Sequence, residues 1–289
     1  MVTPLLDSGA LDPESLERLI EHIIAGGVHG LFILGTTGEA PGLSYELKRK
    51  LIADTSRRVN GRIPVLVGIT ECSIRESIQL AHTAEEAGAS ALVAAPPFYF
   101  HLDQQELIRY FHHLADHVTL PLFLYNIPSL TKIAIDPSSV KLLSRHERIA
   151  GLKDSSANGT YFSTVSALME SDPSFALFVG PDEMMASLVL KGAHGGVSAG
   201  ANLFPKLYVD LYNAAAARNY DVVSALHKKV MEISANIYNP FPVAMGFLKG
   251  IKAGLSIMGI CGDRMEFPLK ALEEKQKDIL KQNLSALQL

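Results

Sequence analysis

The sequence predicts a (β/α)8 barrel followed by a small group of C-terminal helices. Three observations carry that expectation. Eight apolar runs have strand length, each of the first seven is followed by a segment of helical period, and behind the eighth helices follow one another with no strand between them. The chain has 289 residues, 48% of them hydrophobic, which suits one large barrel with a sizeable core. We place the barrel at 1–217 and the C-terminal helices at 218–289. No Gly/Ser linker or shift of composition divides the chain further.

The runs fall at 2–4, 30–34, 64–67, 91–94, 121–125, 149–153, 176–179 and 195–198. The first, Met1-Val2-Thr3-Pro4, reads as the end of a strand whose beginning lies upstream. Between the runs the helices announce their starts. Asp12 is a candidate N-cap before Pro13, and Leu16, Leu19, Ile20 and Ile23 give the 13–25 segment one apolar face. Ser44 can cap 45–59, and Ser73 can cap 74–87 with Gly88 as its stop. Asp103 precedes 104–116, Asp136-Pro137 opens the next helix, Gly159-Thr160 precedes 161–170, and Pro181-Asp182 opens a helix ending at Gly192. The tail reads as helices at 204–217, 220–237, 241–254 and 268–286.

Composition excludes several classes of function. A formal charge of −4 from 26 basic and 30 acidic residues, with no block of one sign, indicates neither a nucleic-acid surface nor a polybasic membrane patch. No apolar stretch reaches the length of a membrane span and no signal-peptide pattern opens the chain. Two cysteines, Cys72 and Cys261, are too few for a disulfide framework or a zinc site and fit a reducing compartment. A soluble cytoplasmic protein is the expectation.

All strands of such a barrel end on one face, which carries the active site. At the sixth end stands Lys153. An amine there must pair with a carboxylate or give up its proton, because desolvation disfavours the ammonium, and a neutral buried amine is a nucleophile. The plainer reading is an ion pair with Asp154 or another loop carboxylate. The second run ends in Gly35-Thr36-Thr37-Gly38-Glu39, a turn whose N–H groups and hydroxyls could form a nest for a carboxylate. The fourth leads to Pro96-Pro97-Phe98-Tyr99, the fifth to Tyr125-Asn126-Ile127-Pro128, the seventh to Gly180-Pro181-Asp182-Glu183 and the eighth to Ser198-Ala199-Gly200-Ala201-Asn202. Taken singly, the glycine turn could be only a turn, Tyr125 a core aromatic, and Asp182 and Glu183 ordinary carboxylates at a helix start. Their convergence with Lys153 on one rim suits Schiff-base chemistry on a 2-oxo acid. The lysine forms the iminium, a phenol relays protons, the Thr36-Thr37 turn holds the carboxylate, and the loops after the seventh and eighth runs house the aldehyde half.

With Gly35-Thr36-Thr37-Gly38-Glu39, Tyr125-Asn126-Ile127-Pro128 and Lys153-Asp154 in this order and spacing, the chain resembles the dihydrodipicolinate synthase / N-acetylneuraminate lyase family over essentially its whole length. The resemblance implies Lys153 as the Schiff-base lysine, Tyr125 as general acid and base, and Thr36 and Thr37 as the pyruvate carboxylate and relay residues. It implies that Tyr99 reaches across a tight dimer into the neighbouring site, in a homotetramer built from two such dimers. Neither cofactor nor metal is expected.

Departures from the family pattern bear on the substrate. Where the synthases carry an arginine for the carboxylate of aspartate semialdehyde stands Leu130, and the nearby Lys132 is a poor geometric replacement for a bidentate guanidinium. Leu130 and the Gly180-x-Asp182-Glu183 sequence are similar to the sialic acid lyases, with Asp182 and Glu183 as acceptors for polyol hydroxyls at the rim. Ala199 lacks the hydroxyl of the lyases' serine, while Ser155 keeps that of their threonine. Val197 joins Gly180, Ser155 and Leu130 among the expected substrate contacts. The expected reaction is cleavage or formation of a hydroxylated 2-oxo sugar acid, N-acetylneuraminate or a 2-keto-3-deoxy sugar acid, from pyruvate and an aldehyde. Alternatives are dihydrodipicolinate synthase, a dehydratase using the same iminium, and a non-catalytic sensor of small acids. A metal-dependent aldolase would need several ligands on the rim, whereas His112, His113 and His117 fall in a helical segment. A phosphate site near Gly195 would sit beside two carboxylates.

Overall fold

The computed structural model describes residues 1–6 and 10–287. Strands β1 (Leu31–Ile33), β2 (Val65–Gly68), β3 (Ala91–Ala94), β4 (Leu122–Asn126), β5 (Ile149–Asp154), β6 (Ala176–Val179) and β7 (Gly195–Gly196) pair in that order, all parallel, in one curled sheet. Helices α1 (Pro13–Ala25), α2 (Tyr45–Val59), α3 (Ile74–Glu86), α4 (Gln104–Asp116), α5 (Pro128–Thr131), α6 (Pro137–Leu143), α7 (Gly159–Met169), α8 (Asp182–Val189) and α9 (Pro205–Ala216) intervene. This is the (β/α)8 plan with a seven-strand ladder.

The expected first strand at 2–4 is absent from the ladder. Residues 1–3 instead bridge its two edges: the Met1 amine donates to Phe32 O at 2.6 Å and Val2 N to Asn202 Oδ1 at 2.9 Å. One bond to each side, one of them to a side chain, joins the edges without forming strand pairs. The run expected at 195–198 shortens to the two glycines of β7. Val197 N still donates to Val179 O at 2.8 Å, but the chain then turns into a short 3-10 segment, Ala199–Asn202.

Several helix starts follow the sequence signals. Asp12 accepts from Glu14 N and Ser15 N, Ser44 accepts from Leu47 N, and Asp103 forms a capping box with Glu106. Ser73 makes no side-chain cap bond, and α7 is capped by Asn158. In the tail, α10 (Tyr220–Ile233) runs into a single π turn, Ser234–Tyr238. Helix α11 (Gly246–Ile257) begins later than 241, since the residue before Pro242 is steered away from helical backbone. Helix α12 (Glu274–Ala286) begins at a capping box of Glu273 and Gln276, beyond Pro268. No helix among the described residues is long and apolar enough to cross a membrane.

The main core lies between sheet and helices. Inside the sheet's curve a smaller cluster of Val93, Ala95, Tyr125 and Ile127 packs with Phe32, Leu66 and Phe123. That inner cluster forms the floor on which the strand-end residues stand.

Candidate active site

Successive residues of a strand face opposite sides of the sheet, so β5 sends Lys153 and Asp154 in different directions. Asp154 is buried on the far side, where its carboxylate accepts from Asn126 Nδ2 at 2.9 Å, Ser156 N at 3.1 Å and Ser156 Oγ at 3.0 Å. Burial raises its carboxyl above the ordinary value, partly offset by those bonds. The ion pair between Lys153 and Asp154 that the sequence allows therefore does not form. Among the described residues no carboxylate pairs with Lys153. Asn126 also accepts from Ile135 N at 3.0 Å. The asparagine after Tyr125 is thus a strut behind the site, tying β4 to β5 and to the chain entering α6.

On the inner side, the register pairs Tyr125 with Lys153 directly across β4 and β5. Lys153 Nζ lies 3.9 Å from the centroid of the Tyr125 ring and 5.1 Å from that of Phe32, close enough for cation–π attraction to hold the chain end in place. The Tyr125 hydroxyl is 3.2 Å from Thr36 Oγ1. Burial alone would push this phenol up. The charge of Lys153, with hydrogen bonding to Lys153, Thr36 and Ser155, outweighs it and holds the phenol below its ordinary value. Ser155 stands two residues beyond Lys153 and so on the same side of the strand. A Cβ on Gly180 would lie 1.9 Å from Ser155 Oγ, so glycine just past β6 leaves room for the hydroxyl.

The turn after β1 is closed by Gly38 N to Gly35 O and Glu39 N to Thr36 O, both 3.0 Å. The N–H groups of Thr36 and Thr37 find no protein acceptor among the described residues. With the two hydroxyls they make the donor-rich concavity that a carboxylate needs. Beside it lies a cavity of about 420 Å³ lined by Phe32, Thr36, Thr70, Val93, Phe98, Tyr125, Ile127 and Leu130 on one side and by Met245, Leu248 and Glu266–Leu269 on the other. The second group comes from the C-terminal part, which holds none of the site residues expected from the sequence.

The structure thus gathers Lys153, Tyr125, Thr36, Ser155 and Gly180 around one strand-end centre, with Thr37 in the adjoining turn, Leu130 on the cavity wall and Val197 half-buried just past β7. Tyr99 is not gathered in: it is 79% exposed, its ring edge-on to that of Phe100. Nor are the carboxylates of the 180–183 loop free acceptors. Asp182 is 3% exposed and accepts from Ala199 N at 3.0 Å, Gly200 N at 2.9 Å and Tyr238 Oη at 2.6 Å, while Tyr208 Oη lies 3.2 Å from Tyr238 Oη. Burial, then the Asp182 charge, push both phenols well up, so each remains a donor. Glu183 accepts from Ser234 Oγ. Asp182 fastens the tail to the loop after β7 and Glu183 fastens it to α8, roles hidden in the sequence because Tyr208, Ser234 and Tyr238 are distant in the chain. Asp182→Ala would leave two N–H groups and a hydroxyl unpaired in a dry site, so a loss of roughly 3–5 kcal/mol is expected. Urea unfolding would measure it, and a loss below 1 kcal/mol would show that the network is slack.

Among the described residues no cluster of three or more His, Cys, Asp or Glu could hold a metal ion.

A family model described as the dihydrodipicolinate synthetase family matches residues 1–287. The 4-hydroxy-tetrahydrodipicolinate synthase of Methanocaldococcus jannaschii is 32% identical, the alignment covering 99% of this chain and 96% of the relative. Among solved structures, the dihydrodipicolinate synthase of Bacteroides thetaiotaomicron is 49% identical with a TM-score of 0.97, covering 99% of this chain and 96% of that one. YagE of E. coli, a prophage protein of the dihydrodipicolinic acid synthase family solved in complex with pyruvate, is 31% identical with a TM-score of 0.92, covering 100% and 96%.

Proposed function

The chain belongs to the dihydrodipicolinate synthetase family of Schiff-base, pyruvate-dependent aldolases and lyases, and we propose that Lys153 is the amine through which it works on a hydroxylated 2-oxo sugar acid. In the cleavage direction Lys153 Nζ adds to the 2-oxo carbon, and loss of water gives an iminium. Tyr125 gives its proton to that departing water and then, as the phenolate, takes the proton from the C4 hydroxyl as the C3–C4 bond breaks, and the bonding pair flows into the iminium to leave an enamine and a free aldehyde. Protonation at C3 and hydrolysis release pyruvate and restore the lysine. Thr36 passes protons to and from Tyr125, and the Thr36-Thr37 turn holds the carboxylate. The observation that carries this reading is the stack of Lys153 Nζ over Tyr125 with Thr36 3.2 Å from its hydroxyl.

The choice of aldehyde rests on charge. Among the described residues, the lining of the cavity includes no lysine or arginine, Lys153 itself standing outside that lining at the end of β5. Leu130 stands on its wall, and Lys132 folds back to donate to Ser129 O at 2.8 Å. An aldehyde bearing a carboxylate would find no cationic partner there, whereas a neutral hydroxylated one needs none. We therefore favour a 2-keto-3-deoxy sugar acid or N-acetylneuraminate. The second reading, 4-hydroxy-tetrahydrodipicolinate synthase, is favoured by the names of the relatives. A dehydratase would share the iminium. A panel assay decides: pyruvate released from the sugar acids supports the lyase, whereas pyruvate consumed only with aspartate semialdehyde overturns it. On the lyase reading, Leu130→Arg should raise kcat/KM for aspartate semialdehyde about ten- to a hundredfold, from a charge-assisted contact of roughly 1.5–3 kcal/mol. An unchanged value in steady-state assays would contradict the reading of the cavity wall.

The homotetramer, with Tyr99 entering a neighbouring site, is part of the proposal. The exposure of Tyr99 and Phe100, at 79% and 76%, next to Phe98 of the cavity lining, supports an aromatic surface that a second copy covers. A cytoplasmic location is supported by the two unpaired thiols of Cys72 and Cys261.

A further inference from the structure

The Thr36-Thr37 turn is bracketed by two residues in a conformation that L-amino acids avoid. Leu34 has φ 56° and Glu39 has φ 60°, and both line the cavity, as does Met245 at φ 55°. Such residues persist where their surroundings over-determine them, and they cluster at ligand sites. At the first end the cause is close backbone approach: a Cβ on Gly68 would lie 2.0 Å from Leu34 O, so only glycine in β2 admits this path.

At the second end the cause lies far along the chain. Glu39 is 4% exposed, and its carboxylate is divided between two partners from the tail. Oε1 accepts from Lys252 Nζ at 2.6 Å, and Oε2 accepts from Glu266 N at 2.8 Å. Lys252, on α11, is fully buried, and its Nζ also donates to Thr3 O at 3.0 Å. Thr3 Oγ1 in turn donates to Gly38 O at 2.7 Å. The turn is therefore gripped at Gly38 and at Glu39 by one connected network. Its C-terminal members flank the two tail segments that wall the cavity.

We propose that Glu39 and Lys252 are a positioning pair that holds the Thr36-Thr37 turn in its carboxylate-binding shape, making the C-terminal helices part of the pyruvate site. The inference rests on the Schiff-base reading above. A buried charge pair placed only for stability would not need to end on a left-handed residue of the ligand turn, nor share its carboxylate with a segment of the cavity wall. Neither residue touches Lys153 or Tyr125, so the pair acts on how tightly pyruvate is held and much less on the bond-breaking step.

The test uses Glu39→Gln, Lys252→Met and the double variant, which removes both buried charges together and so folds even where a single change leaves one charge stranded. The readouts are the pyruvate concentration that half-saturates the borohydride-trapped adduct on Lys153, the KM and kcat of the reaction, and Tm. The expected result is a rise of about tenfold or more in half-saturation for the double variant, with kcat changed much less. A control matched in lost Tm, Leu114→Ala in the buried face of α4, keeps the original half-saturation. A folded double variant with unchanged half-saturation overturns the positioning role. A wild-type chain with no adduct overturns the Schiff-base reading and this inference with it, so the two failures are distinguishable.

Discussion

Lys153→Ala is expected to abolish the borohydride-trapped pyruvate adduct and to lower turnover by on the order of a thousandfold or more, the scale of losing a covalent nucleophile. The magnitude follows from how little else at the site could replace the amine. Lys153 is 8% exposed, and Asp154 is turned to the other face of the sheet. Its Nζ is held against the Tyr125 and Phe32 rings. Of the other amines near the turn, Lys252 is committed to Glu39 and Thr3 O and the Met1 amine to Phe32 O, and Lys132 faces outward onto Ser129 O. Lys153→Arg should fail equally, because a guanidinium keeps the charge and cannot form the iminium. Intact-mass analysis after reduction reads the adduct, and peptide mapping locates it. A full adduct in the alanine variant, or one mapped to a different lysine, would remove Lys153 from the mechanism. Circular dichroism should show both variants folded, since changing one side chain at the open end of the strands leaves both cores in place.

How much of this was legible beforehand depends on the range of the interaction. Local signals held: Asp12, Ser44 and Asp103 cap the helices they were expected to cap, and the apolar run ending at Lys153 is β5. Period-two alternation already implied that Lys153 and Asp154 face apart, but which of them faces the barrel interior required the register with Tyr125. The run at 2–4 looked like a strand because Val-Thr-Pro has strand composition. Its pairing depends on partners at both sheet edges, and there the chain makes isolated bonds, Met1 to Phe32 and Val2 to Asn202. Asp182 and Glu183 were expected to accept from polyol hydroxyls at the rim. Only the packing of α9 and of the turn after α10 shows their oxygens engaged by Tyr238 and Ser234. Lys252 left one usable trace: it falls among Leu248, Ile251 and Leu255 on the buried face of α11, and a charge on an apolar stripe signals a buried partner. That the partner is Glu39, 213 residues away, could not be read from spacing.

Tyr125→Phe separates binding from proton transfer more sharply than any other single change at this centre. The ring remains, so the packing of Val93, Ala95 and Ile127 and the support beneath Lys153 Nζ are retained. Only the hydroxyl that meets Thr36 is lost. A positioned acid-base group contributes roughly a hundred- to ten-thousandfold, and a fall of that size in kcat is expected. The pyruvate adduct should still form, more slowly, because Lys153 and the Thr36-Thr37 turn are untouched. The pH profile gives the independent check. The Lys153 charge and the hydrogen bonds around the phenol hold it below the ordinary tyrosine value despite burial. An acid of lowered pKa loses its proton earlier as pH rises, so the alkaline limb of the wild-type rate should fall below pH 10, the ordinary value for tyrosine, and should vanish in the phenylalanine variant. A limb that persists in Tyr125→Phe would assign it to another group. A drop in rate smaller than tenfold would mean that water, or a tyrosine such as Tyr99 from a second copy, carries the proton.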